Sequence, residues 1–137
     1  MPPHSTHAWI DDREAPVYVV TYPDERSDDQ VREAHAAIER IYRETDEPVA
    51  WVVDASRMRW SPATQRRIVA EHEKRVRPFA ERWASGLALV ITNDFVRGLF
   101  TAVTWMAPLK YPYKMFADRT SAIGWARAQL RLRRESA

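Results

Sequence analysis

Polar side chains follow two apolar segments of this chain, directly where each segment ends. Both segments, residues 49–53 and 87–91, are nearly continuous apolar runs, which is typical of parallel strands buried on both faces of a sheet. In open sheets of parallel strands, ligands bind beyond the carboxyl ends of the strands. The sequence therefore predicts that a small polar ligand or a partner's side chain would bind at this edge. The polar residues expected there are Asp54, Ser56, Thr92, Asn93, Asp94, Asp118 and Arg119, with Arg97 one turn into the following helix.

These residue types also have an ordinary structural use at the ends of strands. Side chains of Asp and Ser accept hydrogen bonds from nearby backbone N–H groups and so form turns. Asn93 and Thr120 each precede a predicted helix, where their side chains would cap the first turn. One interpretation predicts a site for a nucleotide or a lipid-like molecule near Asp54, Thr92 and Arg97, and the other predicts only turns and caps.

A response-regulator receiver domain is an alternative assignment for the acidic residues. Such a domain needs an acidic pair after its first strand, an aspartate after its third strand, a hydroxyl after its fourth strand, and a lysine. The clustered carboxylates of these acidic residues would bind Mg²⁺. The predicted order of elements opposes this assignment, because a strand and not a helix follows the acidic pair. The residues that would form the site are Asp11, Asp12, Asp54, Thr92 and Lys110.

Motifs for metal, cofactor and nucleophile chemistry are missing from the sequence. No cysteine occurs, which excludes thiolate zinc sites and thiol nucleophiles, and the three glycines form no glycine-rich phosphate loop. The four histidines include no His-x-x-x-His pair, and no serine lies in a Gly-x-Ser-x-Gly motif. We therefore expect no catalytic residue, no metal and no cofactor, and we expect His72 to be a buried structural residue.

Aromatic residues concentrate in two segments that are predicted to be irregular. Trp60 follows a basic segment, and Trp105, Met106, Tyr111 and Tyr113 surround two prolines. Aromatic, Met and Arg residues are enriched at protein interfaces. These segments either fold back over the core or form a surface for a second copy of the chain or another protein. An apolar pocket lined by Trp60, Trp105 and Tyr113 would indicate a small ligand, whereas a flat exposed patch would indicate a protein partner.

Nine predicted elements must position these residues. Alternating β-branched and aromatic residues predict short strands, and apolar residues at helical spacing predict helices. Ser27 and Gln30 form a capping box at the start of the first helix. Strands are predicted at residues 7–12, 16–22, 49–53, 87–92 and 113–117, and helices at 28–44, at 62–76 with a continuation to about 84, from Asn93 to Pro108, and from Thr120 or Ser121 onward.

Proline and glycine predict the limits of the second helix. Ser61 is the predicted N-cap, with Pro62 at the first helical position. Pro78 is expected to kink or break this helix near Arg77, and Gly86 is expected in its C-terminal cap region. The third helix is predicted to contain the apolar residues Phe95, Leu99, Val103 and Met106.

The element order predicts a single mixed α/β domain. Strands separated by helices imply a mostly parallel five-stranded sheet with an antiparallel N-terminal hairpin and four helices. A length of 137 residues fits one domain. Residues 1–7 are predicted to be a disordered tip, residues 8–130 the domain, and residues 131–137 a basic tail.

Charge and hydropathy limit the partners that the sequence predicts. A net charge of +2 is too balanced to indicate nucleic acid as an obligate partner. Apolar runs are shorter than the roughly 18 residues that a membrane span needs, so we expect no membrane insertion. The first residues do not have the composition of a signal peptide, and we therefore expect a cytoplasmic protein.

Three segments of the chain are similar to the STAS family, and in particular to small SpoIIAA-like proteins. The central predicted strand ends in Asp-x-Ser at Asp54–Ser56. Residues 87–100 resemble the family's strand, polar turn and Arg-bearing helix, and residues 114–126 resemble its last strand and helix start. The resemblance covers roughly residues 8–130 and implies a STAS-like fold. It also implies a non-enzymatic regulator that binds another protein.

One family motif is missing from this chain. Anti-sigma-factor antagonists of this superfamily carry Asp-Ser-Ser-Gly at the start of the next helix, where a kinase phosphorylates a serine. The corresponding segment here is Ser61-Pro62-Ala63-Thr64-Gln65. Ser61 and Thr64 are therefore the candidate phosphorylation sites, although the family's phosphorylation motif is not present.

Overall fold

The structure is a computed structural model that describes residues 1–106 and 108–136, except for the side chains of Val103 and Met106. It contains nine strands and helices. Their order is the predicted β-β-α-β-α-β-α-β-α. The strands are β1 (Ile10–Asp11), β2 (Val17–Thr21), β3 (Val49–Asp54), β4 (Ala84–Val90) and β5 (Tyr113–Phe116). The helices are α1 (Asp28–Glu44), α2 (Ala63–Trp83), α3 (Asp94–Met106) and α4 (Arg119–Glu135).

The five strands form one mixed sheet whose spatial order follows the chain, β1-β2-β3-β4-β5. β1 pairs antiparallel with β2, and the other neighbours pair in parallel. In the central strand, Val52 lies between Val19 of β2 and Ala88 of β4. The predicted fold class is confirmed, including the parallel pairing of residues 49–53 with residues 87–91.

Alternate residues of each strand face opposite sides of the sheet. One face packs against α1, α2 and α3, and the other packs against α4 alone. Strand residues in the first face are Tyr18, Val20, Trp51, Leu87 and Leu89, and those in the second face are Val17, Val19, Ala50, Val52, Ala88 and Val90. Five strands about 4.8 Å apart span roughly 19 Å, nearly twice the diameter of one helix. The single helix α4 therefore leaves part of its face uncovered.

The predicted capping box at the start of α1 is present. The backbone N–H of Gln30 donates to Ser27 Oγ at 3.1 Å, and the Gln30 side chain accepts from the backbone N–H of Ser27 at 2.8 Å. The helix spans the predicted residues and buries Val31, Ala34 and Ile41. This helix start is a local signal, and local signals are readable from sequence.

The second helix differs from its prediction. α2 continues through Pro78 to Trp83 without the expected break. Lys74 and Pro78 are both exposed, so the Lys74 carbonyl that loses its intrahelical partner lies on the water side. Val76 and Ala80 are buried against the core on either side of the proline, and they hold the helix in place. At the other end, Pro62 and not Ser61 is the N-cap residue.

Gly86 lies inside β4 and not in a helix cap, because β4 starts directly after α2. A Cβ atom at this position would lie 3.0 Å from Gln129 Cβ and 3.2 Å from Trp125 Cζ3. The glycine therefore allows α4 to cross the sheet at close range. α4 itself begins at Arg119, with Asp118 as its N-cap, and not at Thr120 or Ser121.

Both chain ends make contacts that the sequence did not predict. Pro3 is buried, and its carbonyl accepts a hydrogen bond from the Tyr18 hydroxyl at 2.7 Å. The predicted basic tail is the last part of α4 up to Glu135. There, Arg133 donates to the backbone carbonyl of Ala84 at 3.1 Å. These polar end residues pack on the domain, because groups of the folded core form hydrogen bonds with them.

A pair of histidines lies in the core between the helices and the sheet. His35 and His72 are 4% and 1% exposed, and their ring centroids are 4.5 Å apart. The Tyr22 hydroxyl and His35 Nε2 are hydrogen-bonded at 2.7 Å. Neither ring nitrogen of His72 has a hydrogen-bond partner within the described residues. His72 is buried, as expected.

We expect this pair to make the protein sensitive to acid. Burial lowers the pKa of His35 to about 3 and the pKa of His72 to about 4. The unfolded chain binds protons near pH 6.5, so stability is complete above that pH and falls as the pH drops toward 4. Between about pH 7 and pH 5 each histidine should lower the free energy of unfolding by about 2 kcal/mol. Urea denaturation at the two pH values measures this loss.

Substitution separates this pair from the other titrating groups. His72→Leu should remove about 2 kcal/mol of the acid-induced loss, whereas Leu132→Ala, at an exposed position without a titrating group, should leave the loss unchanged. Equal stability of the wild-type protein at the two pH values would show the prediction to be wrong.

Candidate functional site

Asp54 ends the central strand β3 and turns the chain away from the sheet. The residue is 6% exposed. Its Oδ1 atom accepts two hydrogen bonds from Ser56, one from the backbone N–H at 3.0 Å and one from the hydroxyl at 2.6 Å. Asp54 and Ser56 thus form the turn that the structural interpretation of the sequence predicted.

The other oxygen of Asp54 is bound by Arg119, the first residue of α4. Arg119 donates to Asp54 Oδ2 from Nε at 3.1 Å and from Nη2 at 2.8 Å. Nη2 also donates to the Thr21 hydroxyl at 2.7 Å. Thr21 is the last residue of β2 and lies beside Asp54 in the sheet. This ion pair ties α4 to the ends of two neighbouring strands.

Asp54 carries a negative charge at neutral pH despite its burial. Burial alone would raise the pKa of this carboxyl, but the hydrogen bonds from Ser56 and Arg119 and the positive charge of Arg119 lower the pKa below its usual value. Both carboxylate oxygens therefore have partners from this chain.

A cavity of about 330 Å³ lies beside Arg119, between the β1–β2 hairpin and α4. It occupies the part of the sheet that α4 leaves uncovered, and its volume is at the low end for small-molecule sites. Two of the charged side chains that line the cavity, Asp11 and Arg13, pair with each other at 2.6 Å, and Glu14 pairs with Arg127 of α4. The cavity is lined by Asp11, Arg13, Glu14, Val17, Val19, Arg119 and Ile123.

Three of the predicted edge residues attach α3 to its neighbours and do not join Asp54. Thr92 donates to the Ser56 carbonyl at 3.3 Å. Asn93 Oδ1 accepts from the backbone N–H of Phe95 at 2.8 Å, so Asn93 caps α3 as predicted. Arg97 donates to the Ile91 carbonyl at 3.3 Å. The structure brings together Asp54, Ser56, Thr21 and Arg119, and the pairing of Asp54 with the last two was not foreseen.

The side chains of the receiver alternative do not assemble around Asp54. Lys110 lies 3.6 Å from Glu81 near the end of α2, which is at the amino end of the parallel strands. Asp11 binds Arg13 through paired hydrogen bonds. Among residues 1–106 and 108–136, no three His, Cys, Asp or Glu side chains are grouped so that they could hold a metal ion.

Four large aromatic side chains are exposed around α3, and we call them the aromatic surface. Phe95 and Trp105 lie on α3, 55% and 82% exposed. Trp60, 62% exposed, precedes α2, and Tyr113, 41% exposed, begins β5. The Trp105 position is therefore helical and not in an irregular segment. Tyr111, by contrast, packs against the main core.

The parts of the aromatic surface are connected to one another through α3. The Asn93 side chain donates to the carbonyl of Arg59, the residue before Trp60, at 3.5 Å. The Tyr113 ring packs edge-on against Phe100 with centroids 5.9 Å apart. Phe95 was expected among the apolar positions of α3, but it faces outward because Val96 occupies the inward position. Val103 and Met106, also predicted there, have side chains outside the described part of the chain.

The two candidate phosphorylation sites lie at the start of α2. Thr64 is exposed, and its hydroxyl is 3.4 Å from Asp28 Oδ1. Ser61 is partly exposed, and its carbonyl accepts from Arg66 at 3.0 Å.

Of the helices described here, none is long and apolar enough to cross a membrane.

Removal of Arg119 should destabilise the fold. Arg119→Ala leaves the buried Asp54 carboxylate with one unpaired oxygen, and we expect a loss of about 2 kcal/mol in the free energy of unfolding, below the usual 3–5 for a buried pair because Arg119 is partly exposed. Arg127→Ala, which removes an exposed ion pair from the same helix, should cost about 0.5 kcal/mol. Urea denaturation measures both.

A second substitution tests the cause of this loss. Asp54→Asn in the Arg119→Ala background should recover part of the stability, because a neutral amide is less costly to bury than an unpaired carboxylate. If Arg119→Ala is as stable as Arg127→Ala, the pair does not hold α4 in place.

Comparison with known proteins supports a fold assignment. No family model matches the sequence, and no curated protein matches it. A solved structure of an uncharacterized protein of the DUF3478 family from Shewanella loihica PV-4, described as having a SpoIIAA-like fold, is similar over 85% of this chain and 90% of its own. The TM-score is 0.57 and the sequence identity is 10%, so the likeness is one of fold. With the predicted element order and sheet topology also present, the chain is an α/β domain with a SpoIIAA-like fold.

Proposed function

We propose that this chain is a cytoplasmic, non-catalytic regulatory module that binds another protein through the aromatic surface. The observation that carries the proposal is the exposure of Trp60, Phe95, Trp105 and Tyr113 on and beside one helix. Large aromatic side chains are usually buried, and they supply most of the binding energy where proteins meet. Exposing such a surface to water raises the free energy of the protein, and burying it in a complex lowers that free energy.

The surroundings of the aromatic surface also suit a protein partner. Arg57 and Arg59 are exposed in the segment that carries Trp60, and Arg97 is exposed on α3. Arg is the charged residue most enriched at interfaces, because its guanidinium stacks on aromatic rings and binds carboxylates. The cavity beside Arg119 is lined by none of the four aromatic side chains. An exposed patch is the arrangement that favours a protein over a small ligand.

The Asp54 site supports the non-catalytic part of the proposal. A general base or nucleophile needs a lone pair that can reach a substrate. Both oxygens of Asp54 are occupied, by Ser56 and by Arg119, and the residue is buried. Its role in this proposal is to connect α4 to the sheet.

The fold is consistent with this assignment. The resemblance to STAS and SpoIIAA-like proteins implies regulators that act by binding partner proteins. The proposal does not include a phosphorylation switch, because the segment around Ser61 and Thr64 lacks Asp-Ser-Ser-Gly.

Affinity capture with variants of the aromatic surface tests the proposal. Tagged wild-type protein should retain a partner from an extract of its own source organism. Trp60→Ala and Tyr113→Ala should each lower the recovered partner at least about tenfold, since central aromatic residues contribute about 2 kcal/mol or more. Quantitative mass spectrometry measures the recovery.

Leu132→Ala is the matched control. Leu132 is 56% exposed on α4, away from the aromatic surface, and its substitution should leave recovery unchanged. Equal recovery by wild type, Trp60→Ala and Tyr113→Ala would contradict the proposal.

The cavity beside Arg119 supports a second candidate function, the binding of a small organic anion. Its floor is apolar, through Val17, Val19 and Ile123, and Arg119 supplies a cation at its wall. A panel of short carboxylates should raise the melting temperature of the wild-type protein, and Ile123→Trp, which fills the cavity, should abolish the shift. No shift with any carboxylate would remove this candidate.

A further inference from the structure

The outer face of α3 carries an ordered apolar stripe. Four residues on this face are exposed and apolar or small, and they follow one another at intervals of three, four and three positions; they are Phe95, Gly98, Ala102 and Trp105, which we call the α3 stripe. At 100° per residue they lie within an arc of roughly 80° and extend over about 15 Å. This is the spacing of a helix face that packs against another helix.

The opposite face of α3 accounts for its attachment to the domain. Val96 is buried with Leu89 and Ile91, and Phe100 packs against the same cluster. α1 and α2 pack against each other, whereas α3 lies over the last strands of the sheet. The α3 stripe faces away from this core, and a Cβ atom placed on Gly98 would meet nothing within 4 Å.

We propose that the α3 stripe is a dimer interface, in which α3 pairs antiparallel with α3 of a second copy of the chain. This inference rests on the proposed function and names the chain itself as a partner. A two-fold axis near the middle of the helix places Phe95 against Trp105 of the second copy, and Gly98 against Ala102 of the second copy. The stripe is thus complementary to itself, as a two-fold interface requires. The small residues in its centre allow the two helices to approach closely, while the aromatic side chains cover both ends.

Charge selects the antiparallel orientation. Both charged residues of α3, Asp94 and Arg97, lie in its N-terminal half and are 3.6 Å apart. A parallel pair would place like charges together, whereas an antiparallel pair places them opposite the uncharged half of the second helix. There the opposite charges of Asp94 and Arg97 offset each other near the negative end of the second helix dipole, and Arg97 lies near the exposed Trp105 ring. The helix α3 itself carries one negative and one positive charge and so no net charge, which favours a second copy over an anionic lipid surface.

The area of the interface sets the expected affinity of the dimer. An aromatic side chain buries about 150–250 Å² when it is fully covered. Two phenylalanines and two tryptophans, already partly covered, with their neighbours, would bury on the order of 1,000 Å² in total, at the low end for specific complexes. We therefore expect a reversible dimer with a dissociation constant on the order of 10 μM.

Sedimentation equilibrium of the purified full chain from about 1 to 500 μM tests the proposal across this range. Wild type should change from monomer to dimer. Gly98→Lys and Ala102→Glu should each raise the dissociation constant at least about tenfold, because each buries an unpaired charge. An equimolar mixture of the two variants should form a dimer again, since the new lysine of one chain faces the new glutamate of the other. Leu132→Glu, on the exposed side of α4, should dimerise like wild type.

The outcomes separate this proposal from the proposed function. The α3 pairing would be overturned by wild type that remains monomeric at all concentrations, or by single variants that dimerise as well as wild type. Monomeric protein that sediments with phosphatidylserine vesicles would also overturn it. Such results leave the capture experiment with Trp60→Ala as an independent test of the protein-binding function. Restored dimerisation in the mixture alone, and in neither single variant, would establish both the interface and its orientation.

Discussion

The parallel strands of the sheet lie in the same order in space as along the chain. Each crossover from one parallel strand to the next is right-handed in nearly all proteins. Three successive crossovers in one direction therefore carry α1, α2 and α3 to the same face of the sheet. Only the last helix remains for the opposite face. The exposed α3, the uncovered part of the sheet and the position of Arg119 all depend on this arrangement.

The Asp54–Arg119 pair connects the two layers that this order produces. β3 is the central strand, so its end lies between the helices of one face and α4 of the other. α4 begins at the same edge, because β5 runs parallel to β4 and β3 and its carboxyl end therefore lies at the same edge of the sheet. An arginine at the first position of the helix can thus reach an aspartate at the end of the central strand. The edge where many α/β proteins bind ligands serves here to hold the last helix.

The two ends of the sheet have different surroundings for the same reason. At the β1–β2 end, α4 does not cover the sheet, and a cavity with an apolar floor and charged walls remains. At the β4–β5 end, α3 is the last helix of its layer, and nothing in the described chain covers its outer face. The first arrangement suits a small molecule and the second suits another helix. The large exposed aromatic residues favour the second, which is why we propose a protein-binding surface on α3 and its neighbours.

Most of the fold could be predicted from the apolar and capping patterns of the sequence. The runs at residues 49–53 and 87–91 indicated buried parallel strands, and Ser27 with Gln30 marked the start of α1, because these signals depend only on residues adjacent in the chain. The same reasoning failed at Pro78, where packing of Val76 and Ala80 on the core outweighs a local preference to break the helix. It also misplaced Gly86, whose reason is the approach of Trp125 and Gln129 from a distant helix.

The candidate site was only partly accessible from sequence. The strand-end positions of Asp54, Ser56 and Arg119 followed from the predicted elements, but their pairing did not. Arg119 lies 65 residues from Asp54 in the chain, and no local pattern records which arginine will meet a given carboxylate. The outward direction of Phe95 was equally hidden, because the helix offered several apolar positions and only docking on Leu89 and Ile91 decided which face turned inward. Sequence determined the elements through short-range preferences, whereas the tertiary structure decided which distant side chains meet and which apolar face remains in water.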